Sequence, residues 1–336
     1  MPRLPALLLG FSASLALLAT PAQAWGPQGH LTSGGIADQL LAGTPTAKQL
    51  RALLGSNLQT AAVWADCVRS VESKAGTWAY AKAGQFKDCA VYENKASQAA
   101  MVAFVKRNAS FCGFRAGEKR CRHTGWHFTN VAIQQPAYAA DLPGAGDDDL
   151  VQAIAACITV LQGGKAPAAF KIASKKEALR LLVHHVGDLH QPLHVGAIYL
   201  DDQGKPLNPA SAQEAQAHRN SGGNAILVGA RNLHALWDDV PGKLTTRLLA
   251  GAGAAEARQV PASSGPPEQW PAQWASDTLR VAPQAFQPLK FGAKAGDAWP
   301  ATTTEPAYRL ARENLQRVQL AKAGARLAEL LTTLFP

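Results

Sequence analysis

The sequence predicts an all-α protein with long loops and one small β-hairpin. Residues that favour helices, chiefly alanine, leucine, glutamine, lysine and arginine, dominate the 336-residue chain. Its apolar positions recur mostly at the spacing of a helix face rather than in the alternation of a half-buried strand. These observations, together with capping residues, place the clearest helices at 97–107, 148–161, 175–189 behind a Ser174 cap, and 306–334.

The hairpin and the loops are predicted from shorter stretches. Two apolar segments, 195–200 and 225–228, predict the strands of the hairpin. The polar stretch 201–223 between them predicts a surface insertion, and 250–271, rich in glycine, alanine and proline, predicts a loop. No Pro/Ser-rich linker divides the chain, so we expect residues 25–336 to form a single domain.

The first 24 residues predict a secretory signal peptide. Met1-Pro2-Arg3 is followed by the apolar run 7–18 and by the small-residue site Ala22-Gln23-Ala24. A membrane-spanning helix needs about 20 apolar residues, and neither this run nor a later segment provides them. We therefore expect a soluble mature chain, secreted or periplasmic, that has no membrane partner, is a monomer and begins at Trp25.

Charge and cysteine content restrict the function less strongly. The formal net charge of +9 favours polyanionic partners, although many exported proteins are basic for solubility alone. Five cysteines in an exported chain are compatible with disulfides, and none has the C-x-x-C spacing of a thiolate metal site. Cys112 and Cys121 flank a Gly- and charge-rich loop, and we expect a bridge between them.

Histidines and aspartates at helical spacing predict a metal centre. His184 and Asp188 are four residues apart, as are His234 and Asp238, so each pair projects from one side of a helix. Pro192 should bend or end the first of these helices, which could swing the following His194 back toward the same site.

The surroundings of these pairs decide between two interpretations. A single His/Asp pair is more often an exposed helical pair of little energetic value. Two pairs on otherwise apolar helices favour a buried centre, where a carboxylate without a metal or a cation is costly. Asp66 and His127 also lie among apolar or aromatic neighbours. Imidazole and carboxylate donors that converge in a helical core suit zinc.

The expected mature amino terminus adds further donors. Cleavage after Ala24 would expose Trp25, whose free amine and carbonyl can chelate a metal ion together. His30 follows five residues later. The alternative is that Trp25 only packs in the core and His30 only begins a helix.

In this order, the motifs resemble those of zinc-dependent single-strand-specific nucleases of the P-one/S-one type. These nucleases share a mostly helical fold with bacterial zinc phospholipase C. The resemblance spans residues 25–238 and implies three Zn²⁺ ions per chain, with Asp188 bridging two of them. The first ion would be held by Asp66, His127, His184 and Asp188, its close neighbour by Trp25, His30 and Asp188, and the third by His194, His234 and Asp238.

The resemblance also implies the reaction. It is hydrolysis of phosphodiester bonds in single-stranded DNA or RNA to 5′-phosphonucleotides, with 3′-nucleotidase activity, by a hydroxide that bridges two zinc ions. Asp66 and Asp188 would then be catalytic through the metals. Arg69, one turn after Asp66, would neutralise charge on phosphorus, or would be an exposed solubilising arginine. Asn130 occupies a position where some members carry aspartate, and its amide can orient water or phosphate but cannot take a proton.

Two residues are candidates for substrate binding. Phe128 would stack an unpaired base, which is a physical reason for single-strand preference, or would be a core phenylalanine. Asn224, in Gly222-Gly223-Asn224, resembles a base-contacting loop, although the same residues also predict a tight turn. His185 and His190 are offset from the His184/Asp188 face and are expected to support the ligands or to pack in the core.

Two other functions compete with the nuclease. A phospholipase C would use almost the same ligands, but the short spacing from Trp25 to His30, aspartate at 238 and Phe128 favour the nuclease. A helical protein that stores or senses metal without catalysis is the second rival, and activity measurements distinguish it.

Overall fold

The computed structural model describes residues 25–109, 113–115, 118–120 and 122–336, and for 113–115, 118–120 and 122 it gives the backbone alone. The predicted signal peptide and the predicted Cys112–Cys121 bridge lie outside the described residues. The helices of the described part are α1 (Pro27–Leu40), α2 (Pro45–Leu54), α3 (Leu58–Ala61), α4 (Trp64–Val68), α5 (Lys95–Asn108), α6 (Arg122–Gly125), α7 (Leu150–Leu161), α8 (Lys175–Leu189), α9 (Pro192–Val195), α10 (Ala212–Ala217), α11 (Leu233–Asp238), α12 (Gly242–Arg247), α13 (Gly253–Ala257), α14 (Trp270–Val281) and α15 (Ala307–Leu334).

The strands are short and form small sheets. Those of the described residues are β1 (Val71–Lys74), β2 (Thr77–Tyr80), β3 (Gly113–Arg115), β4 (Glu118–Arg120), β5 (Val131–Ala132), β6 (Gly196–Ala197), β7 (Tyr199–Leu200), β8 (Pro206–Leu207), β9 (Ile226–Val228), β10 (Arg231–Asn232), β11 (Lys290–Phe291) and β12 (Trp299–Thr302). Four of them form one sheet in the order β10-β9-β12-β11, and the others pair as β1 with β2, β3 with β4, β5 with β6 and β7 with β8. The pairings of β5 with β6 and of β9 with β12 are parallel.

The all-α class and the four predicted helices are confirmed, as α5, α7, α8 and α15. Three of them, α5, α7 and α8, begin directly after a residue whose side chain caps the helix. The Ser174 hydroxyl accepts a hydrogen bond from the Glu177 amide at 3.2 Å, and α8 begins at the next residue. Asp149 caps α7 in the same way.

The predicted hairpin is wrong. Segments 195–200 and 225–228 do not pair with each other, because each is closed by a tight turn next to it. Gly204, at φ +78°, returns the chain from β7 to β8, and Gly229, at φ +61°, returns it from β9 to β10. The stretches predicted as loops are also partly ordered: 201–223 contains β8 and α10, and 250–271 contains α13 and the start of α14.

Helix α8 lies at the centre of the molecule. All residues from Leu181 to Leu189 are buried, and α1, α4, α7 and α15 pack around the helix. A disulfide between Cys67 and Cys89 ties α4 to the 3₁₀ turn at Lys87–Tyr92, and Cys157 is a buried free thiol. The polar side chains of this stretch, His184, His185 and Asp188, therefore lie in the protein interior. Among the described residues, no helix combines the length and apolar character needed to cross a bilayer.

Candidate metal centre

The first pair of the centre stands on α8. His184 and Asp188 are fully buried, and His184 Nε2 lies 3.2 Å from Asp188 Oδ2. His127, in the loop after α6, brings its Nδ1 atom to 3.1 Å from the same oxygen and to 3.0 Å from His184 Nε2. Two imidazoles and one carboxylate oxygen thus face a common point.

Helix α4 and its C-cap residue bring a carboxylate and a guanidinium group to this pair. Asp66 Oδ1 lies 4.0 Å from His184 Nε2, and the Asp66 side chain is only 5 % exposed. Arg69, at the C-cap of α4, places Nη1 3.5 Å from Asp66 Oδ1 and remains 26 % exposed. Arg69 is therefore the cation of this group that a solute can reach.

Helix α1 brings His30 to the other oxygen of Asp188. His30 Nε2 lies 3.3 Å from Asp188 Oδ1, and the His30 ring stacks on His184 with 3.8 Å between centroids. Gly187 permits this approach, because a Cβ atom there would lie 2.9 Å from His30 Nδ1. Trp25 is fully buried, and the next amide, that of Gly26, donates to the Asp238 carbonyl at 3.0 Å.

A further group adjoins the first. Helix α8 ends at Leu189, and α9 begins with Pro192 at its first position, as the sequence predicted. This turn places His194 Nε2 3.1 Å from His234 Nε2, and His234 Nε2 lies 3.3 Å from Asp238 Oδ2. His194 Nδ1 is also 3.7 Å from Asp188 Oδ1, so the groups are neighbours in the core.

Backbone carbonyls orient three of the imidazoles. The Nδ1–H groups of His184, His194 and His234 donate to the carbonyl oxygens of Ala62, His127 and Gly222, each at 2.6 Å. The Nε2 atoms then point into the centre. This arrangement, a ring nitrogen held by an outer acceptor while the other faces inward, is typical of metal-ligating histidines.

The residues present fit metal ions. The donors form three groups whose atoms lie within 4.8 Å of one another: His127, His184, His185 and Asp188; His30, Asp66 and His184; and His194, His234 and Asp238. Two buried polar atoms, His30 Nδ1 and Asp66 Oδ2, have no hydrogen-bond partner. Such atoms are costly in a core unless an ion or a water satisfies them. Imidazole nitrogens and carboxylate oxygens are the donors that zinc takes.

Burial and mutual charge shift the pKa values of the donors strongly. Burial alone would lower the pKa of His184, but the carboxylates of Asp188 and Asp66 raise it to about 9. Burial lowers the pKa of His127 to about 3, against the effect of its hydrogen bond to Asp188. The pKa of Asp188 stays well below its usual value, since His184 and its hydrogen bonds outweigh burial. Burial raises the pKa of Asp238 well above the usual range.

The grouping differs in two respects from that implied by the resemblance. His185 was expected only to support ligands or to pack, yet its Nδ1 atom lies 3.5 Å from Asp188 Oδ2 among the donors of the first group. Asp66 falls with His30 and His184 rather than with His127. His185 has no i,i+4 partner, but its i,i+3 spacing to Asp188 is the sequence signal for this contact. His190 accepts a hydrogen bond from Arg326 Nη1 at 3.1 Å, away from the donors.

The candidate substrate residues lie in loops beside the centre. Phe128 and Asn130 follow His127 and are partly exposed. Asn224 is also partly exposed, and its Nδ2 donates to the Ser221 carbonyl at 2.7 Å. The tight turn that was the alternative for this loop is present: Ser221, Gly222 and Gly223 have φ values of +55°, +64° and +88°. This turn presents the Gly222 carbonyl to His234.

A helical domain with adjoining groups of buried imidazoles and carboxylates defines a class of α-helical proteins whose core suits several metal ions. A family model described as S1/P1 Nuclease matches residues 113–336. The chain belongs to the S1/P1 nuclease family. The matched region contains His127, His184, Asp188, His194, His234 and Asp238, whereas His30 and Asp66 join them from the part of the chain before it.

A curated relative agrees with this assignment. The chain is 30% identical over 171 residues to Endonuclease 4 of Arabidopsis thaliana, which covers 47% of this chain and 50% of the relative. The chain thus spans about half the length of the curated relative that it matches.

Proposed function

We propose that this chain is a zinc-dependent endonuclease that hydrolyses single-stranded DNA or RNA to 5′-phosphonucleotides and also removes 3′-phosphates from nucleotides. The observation that carries the proposal is the position of Asp188. Its Oδ2 atom faces His127 and His184, while its Oδ1 atom faces His30. One carboxylate thereby serves two sets of nitrogen donors, which is the requirement for a bridging ligand between closely spaced metal ions.

Nine residues would hold three zinc ions. When bound, closely spaced zinc ions supply Lewis acidity, which polarises a phosphodiester oxygen and lowers the pKa of water. The residues are Trp25 through its amine and carbonyl, with His30, Asp66, His127, His184, Asp188, His194, His234 and Asp238. His185 is close enough to the first group to support Asp188 through a hydrogen bond.

The remaining residues act on the substrate. The Arg69 guanidinium, partly exposed beside Asp66, would bind a non-bridging phosphate oxygen and stabilise the charge that grows on phosphorus. Phe128 would stack one unpaired base, an interaction worth about 1–3 kcal/mol. A duplex could not make it, because its bases are already paired and stacked. Asn130 and Asn224 would orient phosphate and base through their amides, since neither can act as a general base.

The proposal extends to processing and location. We infer that residues 1–24 are removed, that 25–336 form one domain, and that the protein is exported and acts as a monomer. The Cys67–Cys89 disulfide supports export, because disulfides persist in oxidising compartments.

Substitution Asp188→Asn tests the proposal. It removes the negative charge that both sets of donors share but keeps the shape of the side chain. We expect nuclease activity on single-stranded DNA to fall at least about 100-fold, the upper effect of losing a group that only supports a ligand. Asp239→Asn, at the exposed neighbour of Asp238, is the matched control and should keep activity.

The substrate panel separates the competing functions. The purified protein is assayed on single-stranded DNA, RNA, duplex DNA, 3′-nucleotides and phosphatidylcholine vesicles, before and after chelation and readdition of Zn²⁺. Cleavage of phosphatidylcholine without release of nucleotides would assign a phospholipase C instead. Zinc binding with no hydrolysis of any of these substrates would assign a metal store, and an unchanged rate in Asp188→Asn would reject the metal mechanism.

A further inference from the structure

A buried glutamine connects two donors of the group formed by His194, His234 and Asp238. Gln191 lies between α8 and α9 and is fully buried. Its Oε1 atom accepts a hydrogen bond from the Leu193 amide at 2.5 Å, and its Nε2 atom donates to Asp238 Oδ1 at 2.9 Å. A backbone amide can only donate, so Oε1 must face Leu193 and the NH₂ group must face the carboxylate.

The two ends of Gln191 therefore do different things. The oxygen caps α9, the short helix that carries His194. The nitrogen donates a hydrogen bond to Asp238 Oδ1, and the other oxygen, Oδ2, lies 3.3 Å from His234 Nε2. One side chain thus fixes the helix of one donor and the orientation of another.

With Gln191 in place, each metal-donor side chain of this group is oriented by a hydrogen bond to its atom that faces away from the other donors. His194 and His234 are held through Nδ1 by backbone carbonyls, and Asp238 is held through Oδ1 by Gln191. Each then presents a single atom to the same point. Supporting contacts of this kind fix the orientation of ligands, and their loss typically weakens metal binding about 10–100-fold.

We propose that Gln191 is a positioning residue that presents Asp238 as a one-oxygen ligand and so controls occupancy of the metal position formed with His194 and His234. The inference rests on the proposed function, because it assumes that these side chains bind zinc. It adds a residue whose contribution is selective for one of the metal positions.

Gln191→Glu separates positioning from capping. Glutamate keeps an oxygen that can cap α9, but it removes the donor to Asp238 and places a second carboxylate against it. The full processed chain is stripped with a chelator and titrated with Zn²⁺ against a chromophoric competitor, and Co²⁺ absorption spectra are recorded in parallel. We expect one ion, that of the His194, His234 and Asp238 position, to lose at least about tenfold in affinity together with its Co²⁺ bands, while the other ions bind as in the wild type.

Controls distinguish this inference from general damage. Gln319 is equally buried, but its Nε2 donates to the His190 carbonyl at 3.0 Å and to Thr278 Oγ1 at 3.3 Å, so Gln319→Glu should keep every ion. Gln191→Met removes both hydrogen bonds and serves if Gln191→Glu does not fold; it too should lose affinity for that one ion.

Three results decide the question. Wild-type zinc affinity at every position in Gln191→Glu, or in Gln191→Met if only that variant folds, would overturn the inference. Loss of all ions from the folded Gln191 variant would also overturn it, because the effect would not be selective. A wild-type chain that binds no zinc would instead reject the proposed function itself.

Discussion

At the scale of single residues, the centre depends on which atom of each side chain is already engaged. Three imidazoles give Nδ1–H to backbone carbonyls, and Asp188 divides its oxygens between two sets of nitrogens. His127 is different, since its Nδ1 atom faces the donors. The nitrogen that would bind a metal is thus set by the backbone around each ring, which sequence spacing cannot specify.

The raised pKa of His184 predicts that metal binding releases a proton. In chelator-treated protein, His184 with a pKa of about 9 is protonated at pH 7, between Asp188 and Asp66. A metal ion must displace that proton, so affinity should rise with pH up to about 9 and fall about tenfold for each unit below it per proton released. Calorimetric zinc titrations in buffers of different ionisation enthalpy measure the release.

A zinc affinity that does not depend on pH would contradict this prediction. Zinc affinity that does not change between pH 7 and 8.5, with no proton released, would mean that His184 is already neutral. Zinc binding to the Gln319→Glu variant provides a matched titration, because Gln319 does not touch His184, and it should release the same number of protons.

At the scale of elements, α4 depends on the rest of the protein. Its five residues, Trp64–Val68, are far too few for a helix that is stable alone, yet it carries Asp66 and leads into Arg69. Burial of Trp64 and the Cys67–Cys89 disulfide hold it in place. The disulfide lies next to Asp66 in sequence, so it bears on the centre as well as on stability.

Replacing both cysteines, Cys67→Ser and Cys89→Ser, should destabilise the protein. A disulfide between residues 22 apart lowers the conformational entropy of the unfolded chain, which stabilises the folded protein by about 3 kcal/mol. We expect the free energy of unfolding in urea to fall by about that amount, and zinc affinity to fall as α4 loosens. Cys157→Ala is the control, because this buried thiol forms no bridge. An unchanged urea midpoint in the double variant would contradict the role given to the disulfide.

Elements also show what sequence could and could not predict. Helix α8 has its predicted bounds, because an N-cap, a long apolar pattern and a proline beyond its end all agree. The hairpin prediction failed, because the short strands in these segments pair elsewhere. Local turns bring β8 to β7 and β10 to β9, and the wider fold brings β5 to β6 and β12 to β9. The His/Asp pairs were recognisable because a helix converts i,i+4 spacing into proximity. Gln191 had no such signal, His185 had only its i,i+3 spacing to Asp188, and the Cys67–Cys89 pairing depends on how α4 packs.

At the scale of the whole molecule, the start of the described chain lies in the core. Trp25 is fully buried, and a Cβ atom on Gly26 would come within 2.9 Å of the Asp238 carbonyl oxygen. The segment therefore has little room to shift. If the chain is cleaved after Ala24, the new amine is fixed near both Asp238 and the α1 helix that carries His30.

One extra alanine before Trp25 should therefore impair the centre. It would convert the amine that we propose as a ligand into an amide, and we expect at least about tenfold weaker binding of one zinc ion together with reduced activity. Mass spectrometry verifies the amino terminus, and zinc titration measures the effect. The same alanine added after Pro336 is the control. Full zinc affinity in the extended chain would show that the terminal amine is not a ligand.

The distribution of donors along the chain links the supply of metal to the stability of the protein. His30, Asp66, His127 and Asp188 come from distant parts of the sequence and meet only when the protein is folded. A bound ion would therefore hold these segments together reversibly, and its binding free energy would add to the free energy of folding. Scarcity of zinc would then expose the chain to proteases, so the supply of one nutrient would set how long the enzyme survives.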